Sequence, residues 1–258
     1  VSYYDYRPMV SFMAVCIMEE NGKMENGYAG RSYRKGFEFM TDDVVDVIAR
    51  EVVDRTAILF KAIKPKGGEM PVVMGSGGSG ILLHEAIGHA FEADFNRKDI
   101  SIFAGQLNKK VCNEHINVVD DGTIPFNRGS VNFDDEGVEG QKTYIVKEGV
   151  LTSYLHDRIS AKHYGVNPTG NGRRDTFRNL PIPRMRATYM EAGNMKEADI
   201  ISTVKNGIFV DTFTNGQVQI GAGDFTFFVK SGYLIEDGKL TQPIKDINII
   251  CLLYTSPS

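Results

Sequence analysis

The chain is 258 residues long, 42% hydrophobic and 24% charged, with a formal net charge of −4. That length is enough for one large or two small domains with a real core, and the composition excludes disordered, collagen-like and coiled-coil chains. No apolar run reaches the roughly 18 residues of a membrane span, and the interspersed charges give no basic footprint for nucleic acid.

Ser2 to Arg7 alternate like a strand already under way, and residues 1–40 carry two Asn-Gly pairs, Asn21-Gly22 and Asn26-Gly27, that signal hairpin turns. Thr41, followed by Asp42 and Asp43, reads as a helix start, with a capping hydroxyl and then acids where the helix dipole favours them. Val44, Val45, Ile48, Val52, Ala57, Ile58 and Leu59 recur at helical spacing up to Ala62, and Pro65, Gly67 and Gly68 end the helix. Met70 to Met74 reads as a short strand, followed by the loop Gly75 to Gly80 and a second helix from about Ile81 to Phe95.

Beyond residue 110, short alternating runs are punctuated by Asp120-Asp121-Gly122, Asp135-Glu136-Gly137, Lys147-Glu148-Gly149, Asn206-Gly207 and Asn215-Gly216, a pattern of antiparallel strands. Short helices are expected over Asp157 to Tyr164 and Lys196 to Val204. The expected fold class is α+β: a mostly antiparallel β domain with one chemistry-bearing helix and a second packed helix. Residues 1–68 read as the C-terminal part of an N-terminal α/β domain, and residues 69–250 as a β-rich catalytic domain.

Asp237-Gly238-Lys239 is a turn signal and Ile244 to Ile250 the next expected strand, after which the composition changes abruptly. Cys251 to Ser258 are what a sequencing-library transposon adapter read in frame would encode. They are expected to be an artefact, and the genuine chain to extend past both ends. Three widely spaced cysteines, Cys16, Cys112 and Cys251, suit a reducing compartment and so a cytoplasmic location.

The segment His84-Glu85-Ala86-Ile87-Gly88-His89 carries the chemistry. Histidines four apart on an α-helix are offset by about 40° and reach one metal, whereas five apart they are offset by about 140°. One extra residue in the turn, a π-bulge, brings them back together, and such bulges concentrate at functional sites. Gly88, inside that turn, lowers the steric demand of a distorted backbone. Residue types alone leave two readings open, a metal site or hydrogen-bonded core histidines. Glu85 weakens the second because it adds a costly third group to the same apolar run.

As a metal site, His84 and His89 supply neutral nitrogens to zinc, and Glu85 takes a proton from a water activated there. No third ligand is evident. Glu92 is the local candidate and a cysteine beyond Ile250 the distant one, while Cys112 reads as a half-buried thiol. The remaining histidines, His115, His156 and His163, read as core residues. The Gly75–Gly80 loop lacks the Lys-Ser/Thr of a phosphate cradle and reads as a connection with Ser79 near the helix cap. Asn167 to Asp175, continuing to Arg186, reads equally as a carboxylate or interface clamp built on adjacent arginines or as a solvated loop.

Gly80-Ile81-Leu82-Leu83-His84-Glu85-Ala86-Ile87-Gly88-His89, Glu92 to Arg97, Val118 to Thr123, Asp134 to Gly137 and Pro168 to Arg174 together resemble the TldD branch of the TldD/PmbA (TldD/TldE) metalloproteases, in order from about residue 40 to Ile250. The resemblance implies a zinc (Zn2+) peptidase that degrades unfolded or small peptides in the cytoplasm as a heterodimer with a non-catalytic PmbA/TldE-like paralogue. His84 and His89 fall on its metal-binding histidines and Glu85 on its catalytic glutamate. Its third ligand, a cysteine in a glycine-rich segment, is expected beyond residue 250, and Cys251 does not match that position. Strand edges around such a cleft suit peptide binding by strand addition. The alternatives are a non-catalytic peptide-binding or assembly subunit with a vestigial metal site, and a hydrolase of a non-peptide amide.

Overall fold

The computed structural model describes residues 4–77, 79–219 and 224–252. Strands β1 (Val10–Glu20) and β2 (Lys23–Tyr33) form an antiparallel hairpin. Its turn is Asn21-Gly22, with φ of 53° and 78°, the left-handed pair that matches strand twist in a two-residue turn. The second expected turn, Asn26-Gly27, lies instead inside β2, because the ladder runs straight through it: Ile17 pairs with Asn26 and Cys16 with Gly27. The strand expected over Ser2–Arg7 is also absent from its described part, residues 4–7. Side chains hold that stretch in place of a ladder: Arg7 Nε donates to Asp5 at 2.6 Å, and Asn132 Nδ2 donates to the same carboxylate at 2.7 Å.

Helix α1 (Asp42–Lys61) starts as its sequence dictates, Thr41 Oγ1 accepting from the Val44 amide at 3.4 Å. Its face of Val44, Ile48 and Val52 packs on Phe12, Ala14, Cys16 and Ala29 of the hairpin, so hairpin and helix form one small layer.

The rest follows in chain order: β3 (Val72–Met74), a composite helical segment beginning with α2 (Ser79–Leu82), then α3 (Ala93–Arg97), β4 (Val118–Asp121), β5 (Lys142–Lys147), β6 (Val150–Leu151), α4 (Arg158–Tyr164), β7 (Gly172–Arg173), β8 (Ile182–Pro183), β9 (Thr188–Met190), α5 (Glu197–Ser202), β10 (Asn206–Gln219), β11 (Asp224–Glu236), β12 (Lys239–Ile244) and β13 (Ile247–Leu252). One sheet runs β12-β11-β10-β3, with β13 pairing the other half of the β11 edge that β12 occupies. Its β3–β10 pair is parallel and the others antiparallel. A second, antiparallel sheet runs β6-β5-β4-β9. The molecule is thus the α+β type expected.

Asn206-Gly207 and Asn215-Gly216, expected as turns, lie within the long strand β10. Irregular register with β11 between Val210 and Asn215 lets that strand bend without ending. Strand β13 runs on through Cys251 and Leu252, and residues 253–258 of the suspected adapter tail lie outside the described residues.

Two cores flank the composite helical segment. Leu83 and Phe91 pack with Val118, Ile145, Leu151 and Tyr154 on one side. Leu82 and Ile87 pack against Val210, Phe213, Phe227 and Ile244 on the other. A helix apolar on both flanks and carrying His84, Glu85 and His89 is thereby wedged between two sheets, which fixes where those polar groups emerge.

Candidate metal centre

After α2 the helix widens into a π turn over Leu83–Gly88 and then tightens into a 3-10 turn over His89–Phe91. The amide of His89 donates to the carbonyl of His84, five residues back, which is the bond that defines a π turn. The extra residue rotates His89 onto the face of His84, so their rings meet edge to face with centroids 4.8 Å apart. One ligating atom each from His84, Glu85 and His89 lies within 4.8 Å of the others. The wide turn also needs Gly88: a Cβ there would run into the Met185 sulfur and come within 3.2 Å of the Leu83 carbonyl.

Glu92, the local candidate for a third ligand, does not join this cluster. The helix expected to run to Phe95 breaks at this residue, whose backbone is extended at φ −67° and ψ 126°. Two ladder-like bonds hold the break open, Ala93 N–H to the Leu155 carbonyl and Leu155 N–H to the Phe91 carbonyl, both at 3.0 Å. The Ala90 carbonyl is capped by side chains, accepting from Asn96 Nδ2 at 2.7 Å and Ser101 Oγ at 2.6 Å, and Asn96 Nδ2 also donates to the Glu92 carbonyl at 2.9 Å.

The break turns the Glu92 carboxylate behind His89. Fully buried, it accepts from His89 Nδ1 at 3.1 Å on one oxygen and from Arg184 Nη1 at 2.8 Å on the other. The hydrogen bond to Glu92 raises the His89 pKa. Packing around the His84 ring lowers the pKa of that residue, helped by the neighbouring His89.

Arg184 is the residue that sequence reasoning missed. Its signal is the Pro181-Ile182-Pro183-Arg184 run, whereas adjacency in sequence points to the pair Arg173-Arg174. Both of those are exposed, and Arg174 donates to the Asn179 carbonyl at 2.9 Å. The stretch is a clamp at one end and solvated in the middle. Arg184 grips Glu92, and Arg186 donates to the carbonyls of Gly170 and Gly172 at 3.1 and 3.0 Å. Buried Asp120 ties the stretch down, accepting from Asn171 Nδ2 at 2.8 Å, the Arg186 amide at 2.8 Å and Thr188 Oγ1 at 2.7 Å.

Of the three histidines read as core residues, only His156 is buried. His115 and His163 are exposed, the first in a turn after Asn113 and the second on α4, which buries Ser160 and Ala161 instead. Cys112 is half-buried against the first core, and burial pushes its thiol pKa up. The side chain of Cys251 lies outside the description, as do Gly78 and the side chain of Ser79, which is the first residue of α2.

Comparison with known proteins places this geometry in a class. A model described as the PmbA/TldA metallopeptidase central domain matches residues 1–60, and one described as the C-terminal domain of the same metallopeptidases matches residues 67–255. A metalloprotease TldD homolog of Haemophilus influenzae is 44% identical over 251 residues, covering 95% of this chain and 52% of that one. One from Buchnera aphidicola subsp. Acyrthosiphon pisum is 42% identical over 253 residues, with the same coverage of 95% and 52%. The crystal structure of TldE from Thermococcus kodakarensis has the same fold, with a TM-score of 0.80 at 22% identity over 95% of this chain and 55% of that one. The chain belongs to the TldD/PmbA metalloprotease family. It spans about half the length of the curated relatives it matches.

Proposed function

We propose that this chain carries the catalytic centre of a zinc-dependent peptidase, with His84 and His89 as metal ligands and Glu85 as the general base. The observation that carries this reading is the convergence of His84, Glu85 and His89 within 4.8 Å on a π turn. The donor set fits: two imidazoles and a neighbouring carboxylate suit zinc, and the Glu92 bond to His89 Nδ1 leaves Nε2 of that ring for coordination. Bound there, zinc supplies a Lewis acid and lowers the pKa of water to near 7. Glu85 takes the proton of the attacking water on its carboxylate and returns it to the leaving amine nitrogen.

The third ligand in this reading is a cysteine beyond residue 250, supplied by the rest of the protein. Residues 1–68 are read as the end of an N-terminal domain and residues 69–250 as the catalytic domain. The substrate is an unfolded or small peptide, and a PmbA/TldE-like paralogue completes a heterodimer. A cytoplasmic setting is supported by Cys16 and Cys112, both free thiols.

The test is made on the full-length protein co-purified with its paralogue, assayed on a denatured protein substrate with zinc measured by elemental analysis. Glu85→Gln is expected to keep zinc and lose cleavage, and His89→Ala to lose both. Cleavage by Glu85→Gln at the unmodified rate overturns the assignment of the base. Peptide binding that survives a chelator, with no cleavage by the complete complex, establishes a binding subunit instead.

A further inference from the structure

We infer that Glu92 and Arg184 form a positioning pair that fixes which nitrogen of His89 faces the metal, an inference that rests on the metal-site reading above. A carboxylate removed from water is costly unless it is paired and hydrogen-bonded. Glu92 has no solvent exposure, and among the described residues its two oxygens have one partner each, Arg184 Nη1 at 2.8 Å and His89 Nδ1 at 3.1 Å. Arg184 offers donors only and occupies one Glu92 oxygen, which leaves the other oxygen to accept from the His89 ring. With that oxygen accepting at Nδ1, the ring proton sits on Nδ1 and Nε2 is left to face the metal.

The backbone makes this arrangement rigid. The ladder-like bonds around Glu92 pin the residue between Phe91 and Leu155, away from the ligand cluster. Arg184 is anchored in turn: its Nη1 donates to the Pro183 carbonyl at 2.7 Å and lies 3.8 Å from Asp94, and its guanidinium sits 5.7 Å from the centre of the Phe95 ring. Outer carboxylates that accept from a ligating histidine fix its tautomer and orientation, and their loss weakens metal binding about 10- to 100-fold. Glu92 acts through His89 and touches no reacting atom.

The experiment uses the full-length protein with its paralogue, labelled selectively at histidine, comparing Glu92→Gln with the unmodified protein. Nitrogen NMR of the metal-free protein at alkaline pH, where the ring is neutral, is expected to show the His89 proton on Nδ1 in the unmodified protein and a mixture of tautomers in Glu92→Gln. Competition with a chromophoric chelator is expected to show zinc dissociating at least 10-fold more readily from Glu92→Gln. Because Glu92→Gln also disturbs a buried ion pair, Arg184→Lys serves as a second variant that keeps the charge and loses the planar fork. It is expected to give a smaller loss of zinc affinity with the Nδ1 tautomer retained. Unchanged tautomer and unchanged zinc affinity in a folded Glu92→Gln protein overturn the inference. Zinc binding absent from the unmodified protein overturns the metal-site reading and the role of the pair in it, whereas the tautomer read without metal still decides whether Glu92 sets the proton.

Discussion

Met185 lies against the bare Cα of Gly88, its sulfur filling the place where a side chain at position 88 would begin. The same short stretch of chain carries Arg184 to Glu92. The contact therefore sets the spacing between the π turn that presents the histidines and the segment that braces His89 through Glu92.

Gly88→Ala is expected to force the Met185 thioether away from the helix and Arg184 with it. Overpacking of this kind costs about 1–3 kcal/mol. Urea unfolding of the purified protein reads that loss, and chelator competition reads the weaker zinc binding expected beside it. A variant that matches the unmodified protein in both measurements would show that the neighbour yields freely.

Asp120 collects three hydrogen bonds from the arginine-bearing stretch and β9 on a carboxylate that is almost fully buried. Asp120→Ala strands the Arg186 amide and the Thr188 hydroxyl and leaves Asn171 Nδ2 with the Arg184 carbonyl as its acceptor, at roughly 3 kcal/mol. Asp120→Asn keeps the volume and one acceptor oxygen and is expected to cost less. Thermal unfolding checks the order, and equal melting points for the two variants would deny the carboxylate its anchoring role.

His156 sits beside Tyr154 and Tyr164 with 3% of its surface exposed, and burial pushes its pKa down to about 4. As pH falls, the unfolded chain takes up the imidazole proton near its ordinary value of 6.5, well before the folded protein does. The stability this residue allows is therefore complete above about pH 6.5 and is lost progressively between there and pH 4, to a total on the order of 3 kcal/mol. Urea unfolding at pH 7.5 and pH 4.5 measures the slope. His156→Gln is expected to flatten it, and an unaltered slope would assign the effect to other groups.

The parts of the fold and site visible in the sequence were those set by near neighbours. Thr41 with its two aspartates fixes the start of α1 because capping is local. His84, Glu85, Gly88 and His89 disclosed the π turn because helical geometry alone says that a spacing of five misses a shared face. What stayed hidden depends on distant chain. Glu92 looked like a ligand because it shares a helical spacing with His89, and only the bridge to Leu155 shows that the helix has already broken there. Asn26-Gly27, Asn206-Gly207 and Asn215-Gly216 carry the chemistry of turns, yet ladders formed with partner strands override that local preference. Choosing Arg184 over Arg173 as the clamp required knowing which end of a folded-back loop meets the helix.

The ion pair between Glu92 and Arg184 also imposes an order of events on synthesis. His89 is translated early, but the arginine that holds its brace in place comes 95 positions later (184 − 89). At ordinary elongation rates of about 5–20 residues per second, a nascent chain carries His89 without its brace for roughly 5–20 seconds. A buried carboxylate without its cation is costly, so Glu92 has no reason to settle behind His89 during that interval. Docking of Glu92 behind His89 is thus a late step, timed by the ribosome's arrival at Arg184 and not by the appearance of His89 itself.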